Sequence, residues 1–321
     1  MFTGTIPTLF IKIRQRTAMP FFRYRQQILI VSVLFLGSCQ SKQDEGRTEK
    51  KSQEVAVTPL AAPIETLARR FSPIIRGAWV SANYLAVLEE TNSPIAAFDS
   101  AGYVSEIHVS PVVPSGDSLV SGVSYGNHEG GDISIYFRPG QRPNSLLTNQ
   151  REYDHPGSFG EISYQLGSRD TTLTLTTYSR NNKVLRSASY RRIHGTRLDE
   201  LDALNYAVNK LLFAGSYAGI DSVKRPVAVR FTADGRIIGL NGVMKYRVNT
   251  DFGSGPGNDI DHLSTQVNGK HRRLMSYRRS GDTLRLYAAS VVKTKSKPGT
   301  DDETIDETMT QGKQLFRLIR R

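Results

Sequence analysis

One thiol, one serine and two loop clusters of acids with histidine are the residues best suited, by type and neighbours, to chemistry. Cys39 is the only cysteine among 321 residues. It follows the apolar run 28–36 directly behind Gly37 and Ser38, so its nucleophilic thiol stands on slim backbone. Ser118, in Gly116-Asp117-Ser118-Leu119, offers a hydroxyl nucleophile, and Asp259-Ile260-Asp261-His262 offers an acid–base pair that could activate one. Asp259 and Asp261 are also oxygen donors for a hard cation such as calcium, with His262 beside them. A calcium loop wants about six or more oxygen ligands at set spacing. The stretch from Asp251 lacks the Asp-x-Asp-x-Asp-Gly order, which favours a Gly-rich hairpin loop with solvated acids. His155, in Tyr153-Asp154-His155-Pro156, is a further base in a loop. The six histidines are scattered, with no two at ligand spacing on one element, so neither a zinc site nor any other cofactor is expected.

Residues 28–36 are too short to span a bilayer comfortably, and Arg23 and Arg25 precede them. A charged n-region, a short apolar h-region and small residues before a cut describe a secretory signal. Leu36-Gly37-Ser38-Cys39 resembles the lipobox of bacterial lipoproteins, which implies a diacylglycerol on the Cys39 thiol and removal of residues 1–38. The competing reading is a buried apolar cysteine near the end of an ordinary membrane helix. Position, flanks and the lack of a second cysteine favour the lipobox. Met19-Pro20-Phe21-Phe22-Arg23 marks the expected start of a signal of normal length. Two or three acyl chains anchor stably where one holds only marginally. Gln40, in place of Asp, implies by the Gram-negative sorting rule an outer-membrane destination. Asp44-Glu45 resembles the tag that sends some lipoproteins to the cell surface, although a solvated linker produces such pairs equally well.

Gly116-Asp117-Ser118-Leu119 also matches the block that names GDSL esterases, whose serine is the nucleophile. That nucleophile follows a buried parallel strand in an α/β sandwich, and this chain has too few helical segments to build one. The pattern recurs at Ser280-Gly281-Asp282-Thr283-Leu284 and nearly so at Arg169-Asp170-Thr171, and a Gly-Asp turn feeding a strand explains all three.

Formal charge is +12, yet residues 1–38 hold five basic residues and no acid, leaving 37 basic against 30 acidic residues beyond them. So mild an excess bears on solubility and on attraction to anionic headgroups. It forms no basic stripe interleaved with aromatics, and nucleic acid is not an expected partner. With the single cysteine acylated, no internal disulfide holds the fold, so its core must rest on apolar residues, among them the aromatics beyond residue 38, 22 of the chain's 28.

Residues 39–62 are polar, then small, without aromatics or periodicity, and read as a flexible tether. From Tyr103 onward apolar residues alternate: Ile107 and Val109; Ile133, Ile135 and Phe137; Leu173 and Leu175. Period two predicts half-buried antiparallel strands. Asn181-Asn182, Asp234-Gly235 and Asn268-Gly269 predict tight turns between them. Leu198, Leu201, Leu204, Val208 and Leu211 break the pattern and predict a helix over 198–213, with Thr196 and Asp199 spaced as a capping box. A weaker helix is expected over 64–71.

The two sides of that helix look alike. A helical stretch leads to Gly77-Ala78-Trp79 in the first and to Gly215-Ser216-Tyr217 in the second. Both end in a strand rich in arginine, with Arg191-Arg192 and with Arg317 and Arg320. Helix, Gly-x-Trp, several antiparallel strands and a late arginine resemble the lipocalin superfamily, in which the tryptophan plugs the closed end of a barrel beneath an arginine. The resemblance implies that Trp79 pairs with Arg191 or Arg192, and Tyr217 with Arg317 or Arg320. The alternative is a β-sandwich with Trp79 as a core aromatic.

The expectation is an all-β protein of two tandem antiparallel barrel-like domains, over 63–195 and 196–321, joined by one helix and anchored to the outer membrane through Cys39. The expected function is non-catalytic binding of a small apolar or amphipathic ligand. The second reading is an envelope scaffold with filled barrels that docks a protein partner. An esterase using Ser118 is the remote third.

Overall fold

A computed structural model describes residues 64–110, 116–168, 170–195, 201–240, 242–253, 259–267, 271–295 and 305–321. The signal, Cys39 with its lipobox, the tether, the Thr196–Asp199 box and the Asn268-Gly269 turn lie outside them.

Spacing of four places Leu67, Phe71 and Ile75 on one buried stripe of α1 (Ile64–Ile75). The chain then enters β1 (Gly77–Ser81). Ser81 ends that strand and starts α2 (Ala82–Thr91), its hydroxyl accepting from Tyr84 N, and Asn92 closes the helix in the left-handed conformation. Ser93 caps α3 (Pro94–Ala97) in turn, and a 3-10 turn, Phe98–Ala101, follows.

Seven strands complete an antiparallel barrel: β2 (Val104–Val109), β3 (Ser118–Tyr125), β4 (Glu129–Pro139), β5 (Ser145–Thr148), β6 (Phe159–Leu166), β7 (Thr171–Tyr178) and β8 (Val184–Ile193). Each pairs with the next, and β8 returns to β1, which closes it. Ile133, Ile135 and Phe137 point inward with Leu173 and Leu175, as their alternation predicts. Strand β2 departs from the half-buried pattern, because all six of its residues are buried. Its outer face is covered by α4 (Ala203–Leu212), whose Ala203 and Leu204 N–H groups donate to the Glu106 carboxylate at 2.9 and 3.1 Å. The cap of this helix thus comes from a strand 97 residues earlier.

The second half is an eight-stranded antiparallel sheet. Its strands are β9 (Gly215–Asp221), β10 (Pro226–Phe231), β11 (Ile237–Ile238), β12 (Val243–Val248), β13 (His262–Val267), β14 (His271–Ser280), β15 (Thr283–Lys295) and β16 (Ile305–Arg320), in the order β11-β10-β9-β16-β15-β14-β13-β12. Among the described residues one isolated bridge, Arg236 to Lys245, joins the residue before β11 to β12, beside a 2.7 Å bond from Tyr246 N to Gly235 O.

Two hydrophobic clusters result. Trp79, Ile107, Phe137, Leu173 and Tyr190 fill the first barrel with the stripe of α1. In the second cluster Phe213 packs against Phe231, Tyr246 and Tyr277, with ring centroids 4.8 to 5.7 Å apart. Helix α2 contributes Tyr84, Leu85 and Leu88 to that same second cluster, together with Ala78 and Val80 of β1. The halves therefore share a core.

Burial raises the Glu106 carboxyl from 4.5 to about 7, against the lowering effect of its two backbone donors. A folded-state value above the unfolded one means that stability is full below about 4.5 and falls as pH rises toward 7, by about 3 kcal/mol. Glu106→Gln keeps an acceptor for α4 and removes the titration. Urea unfolding at pH 5 and pH 8 should show a large stability loss in the wild type and a clearly smaller one in the variant.

Candidate binding site at the open end of the first barrel

The closed end comes first, because it fixes where the barrel opens. Trp79 Nε1 donates to Ile75 O at 2.7 Å, and Arg192 donates to Ile74 O, so the two side chains together satisfy the last carbonyls of α1. The Arg192 guanidinium lies 4.5 Å from the Trp79 ring centroid. The second half repeats the device: Tyr217 OH donates to Phe213 O at 2.9 Å, Arg320 to Ala214 O, and the guanidinium stands 5.7 Å from the ring centroid. Gly77 and Gly215, each two residues before the aromatic, both have positive φ (131° and 149°). A Cβ on Gly215 would stand 3.0 Å from Arg320 Nε.

Of the arginine alternatives, Arg192 and Arg320 are the ones over the rings; Arg191 and Arg317 are not. Residues directly opposite on antiparallel strands share a face. Trp79 faces Arg192 and Tyr217 faces Arg320, whereas Arg191 faces Val80 and Arg317 faces Ile220. Arg191 points outward to pair with Glu89 at 2.9 Å, and Arg317 is exposed.

At the other end of the first barrel lies a cavity of about 410 Å³. Leu175 and Thr177 of β7 and Ala188 and Tyr190 of β8 form its inner wall, and the segment Asp99–Val104 forms its outer lip. Its polar groups are largely paired. Arg186 donates to Glu152 at 3.0 Å while lying 4.7 Å from the Tyr103 ring centroid. Gln150 donates to Tyr125 OH at 3.1 Å, and the Tyr125 ring stands 4.9 Å from that of Tyr103. Tyr190 OH donates to Val104 O at 3.0 Å, and burial pushes its phenol far above the usual range. Apolar walls below an edge of fixed donors and acceptors are the chemistry that would suit a small molecule with one greasy and one polar end. The described lining holds serines and acids but no histidine.

The other residues singled out by sequence are dispersed. Ser118 begins β3 opposite Tyr136, and neighbouring Asp117 pairs with Arg138 at 2.9 Å. Asp259 lies exposed in a turn. The Asp261 carboxylate accepts from Ile95 N at 3.1 Å, at the start of α3, and burial raises its carboxyl. His262 Nδ1 lies 3.1 Å from Ile260 O. Among the described residues, no three His, Cys, Asp or Glu side chains are grouped to hold a metal, and no helix is long and apolar enough to cross a membrane. His155 sits in an exposed turn, its N–H donating to Glu152 O.

Tyr103, Glu152 and Arg186 were not marked as a site by the sequence, because they come from three separated segments. The one local signal is the excess of polar residues in Val184–Ile193, whose inward positions include Arg186 and Arg192 beside Ala188 and Tyr190. Comparison with protein-family models gives no match, and comparison with curated proteins gives none.

Proposed function

We propose that this chain is a non-catalytic binding lipoprotein, held to the outer membrane through acylated Cys39, with two tandem barrel-like domains of lipocalin type. It takes a small amphipathic molecule at the open end of the first barrel. The observation that carries the reading is the cavity itself: a pocket of about 410 Å³ closed below by packed side chains and edged by the Arg186–Glu152 and Gln150–Tyr125 pairs. In this reading the bridge between β11 and β12 makes the second sheet a second barrel. The aromatic cluster around Phe213 packs the closed end of that half, which supports a structural role for that end.

Amphipathic ligands should raise the unfolding midpoint with the logarithm of their concentration, adding about 2.7 kcal/mol at a hundredfold excess over Kd. Ala188→Phe, which fills the cavity, should abolish the shift. An equal shift in that variant would move the ligand elsewhere. For the anchor, radiolabelled fatty acid should enter the wild-type protein in cells and be absent from Cys39→Ser.

A further inference from the structure

We propose that the open end of the second sheet docks on an anionic lipid bilayer. This goes beyond the binding site above, which lies in the first barrel. At that end Val227, Leu240, Val243, Leu315 and Phe316 surround a second cavity, about 540 Å³, with buried Met275 as its floor. Neighbouring residues on a strand ordinarily face opposite ways. Leu315 and Phe316 both line the cavity because the strand is bulged there: Leu286 pairs with Phe316 and Tyr287 with Gln314, leaving Leu315 as an extra residue. A second register shift interrupts β12 between Val243 and Lys245, on another part of the same edge, and Met244 is the residue it frees.

The edge of the cavity carries Asp221, Ser222, Arg225 and Arg273, and large apolar side chains stand exposed next to residues that line it. Val223, Ile238 and Met244 are 65%, 55% and 63% exposed, which large apolar side chains avoid unless something covers them. Val223 stands on a turn that is held rigidly. Asp221 Oδ1 accepts from the N–H groups of Val223 and Arg225, Oδ2 accepts from Arg225 Nε, and Lys224 is held at a φ of 64°. The turn presents a valine and a lysine outward by construction.

Charge and shape together select the occupant. Asp221, the acid lining this cavity, is already matched by Arg225. Lys224 and Arg273 carry no ion pair among the described residues, so this end offers uncompensated cations beside apolar groups. Anionic headgroups match the cations, and acyl chains match the exposed apolar side chains. A flat protein partner would cover the edge but leave the cavity as a void, whereas mobile acyl chains can enter it.

The chain has one tryptophan, Trp79, and it is fully buried. A Val223→Trp variant of the full chain therefore adds a single indole that reports on the edge. Mixed with vesicles of phosphatidylcholine and phosphatidylglycerol, its emission should move to the blue and be quenched by brominated acyl chains. Pure phosphatidylcholine should give little change. Adding Lys224→Gln and Arg273→Gln should weaken the emission-monitored partition into anionic vesicles roughly thirtyfold, at the usual contribution of a basic residue near such a surface. Met244→Trp repeats the measurement from β12, should the turn variant fold poorly. Emission unmoved while the chain sediments with vesicles would overturn the proposal, since contact would then run through the N-terminal region. Equal response to neutral vesicles would overturn the role of the cations. A shift produced by an envelope protein fraction and not by vesicles would replace the bilayer with a protein partner.

Discussion

Trp79→Ala should lower the unfolding free energy by about 4–5 kcal/mol, on the scale of Trp-to-Ala cavities and a large part of the roughly 5–15 kcal/mol that holds a domain together. The indole is fully buried, so its removal leaves a void among Ile107, Tyr190 and the α1 stripe. It also strands the Ile75 carbonyl and takes the aromatic face from beneath Arg192. Trp79→Phe keeps most of the packing but loses the N–H, and should cost about 1–2 kcal/mol as an unpaired buried acceptor. Guanidinium unfolding of the two variants beside the wild type checks both the order and the gap. Equal costs would mean that the bond to α1, which both variants lose, holds this end and that packing of the indole adds little. The same comparison on Tyr217→Phe asks whether the second half depends on its closure in the same way.

Arg142→Met should be the second most damaging substitution, by about 2–4 kcal/mol. Glu161 lies on the outer face of the first barrel with its side chain fully buried, and Arg142 Nε donates to it at 2.6 Å. Tyr178 OH, Ser145 Oγ and Gln141 N also donate to the carboxylate, which ties the 140–145 loop down over β6 and β7. Burial alone would raise the Glu161 carboxyl, but these donors, Arg142 foremost, hold it below its ordinary value. The lower end of the range reflects the 38% exposure of Arg142, where water screens part of the attraction. The sign with pH follows from the lowered carboxyl. Its stabilisation is present above the unfolded-state value and is lost as pH falls through the folded one. The deficit of Arg142→Met relative to wild type should therefore be largest near neutrality and shrink in acid. Urea midpoints at pH 7 and pH 4 read this directly. A deficit that does not change with pH would assign the loss to packing of the Arg142 stem.

The antiparallel strands were legible because period-two alternation is a local signal, and it survives wherever one face of a strand meets the core. Ile133, Ile135 and Phe137 illustrate this. Strand β2 was legible as a strand but not in its burial, because its second face is covered by α4, more than ninety residues away in sequence. Helix α2 does not stand out in the sequence, because its apolar residues 84–88 form one continuous run rather than a stripe at helical spacing, and the partners they bury against lie in the other half. The candidate site was the least legible part. Gly-x-Trp identified the closed end, since a positive-φ glycine and a large aromatic make a compact pattern. Choosing Arg192 over Arg191 required the register of β1 against β8, which a one-residue slip would reverse. Tyr103, Glu152 and Arg186 meet only because the barrel closes.

Native mass spectrometry of the full protein, extracted gently from its own membrane, tests the central claim most directly. The expected spectrum shows a lipid-bearing mass with one further small molecule held non-covalently, absent after solvent extraction and absent from Ala188→Phe. A lipid-bearing protein with an empty cavity in every preparation would contradict it.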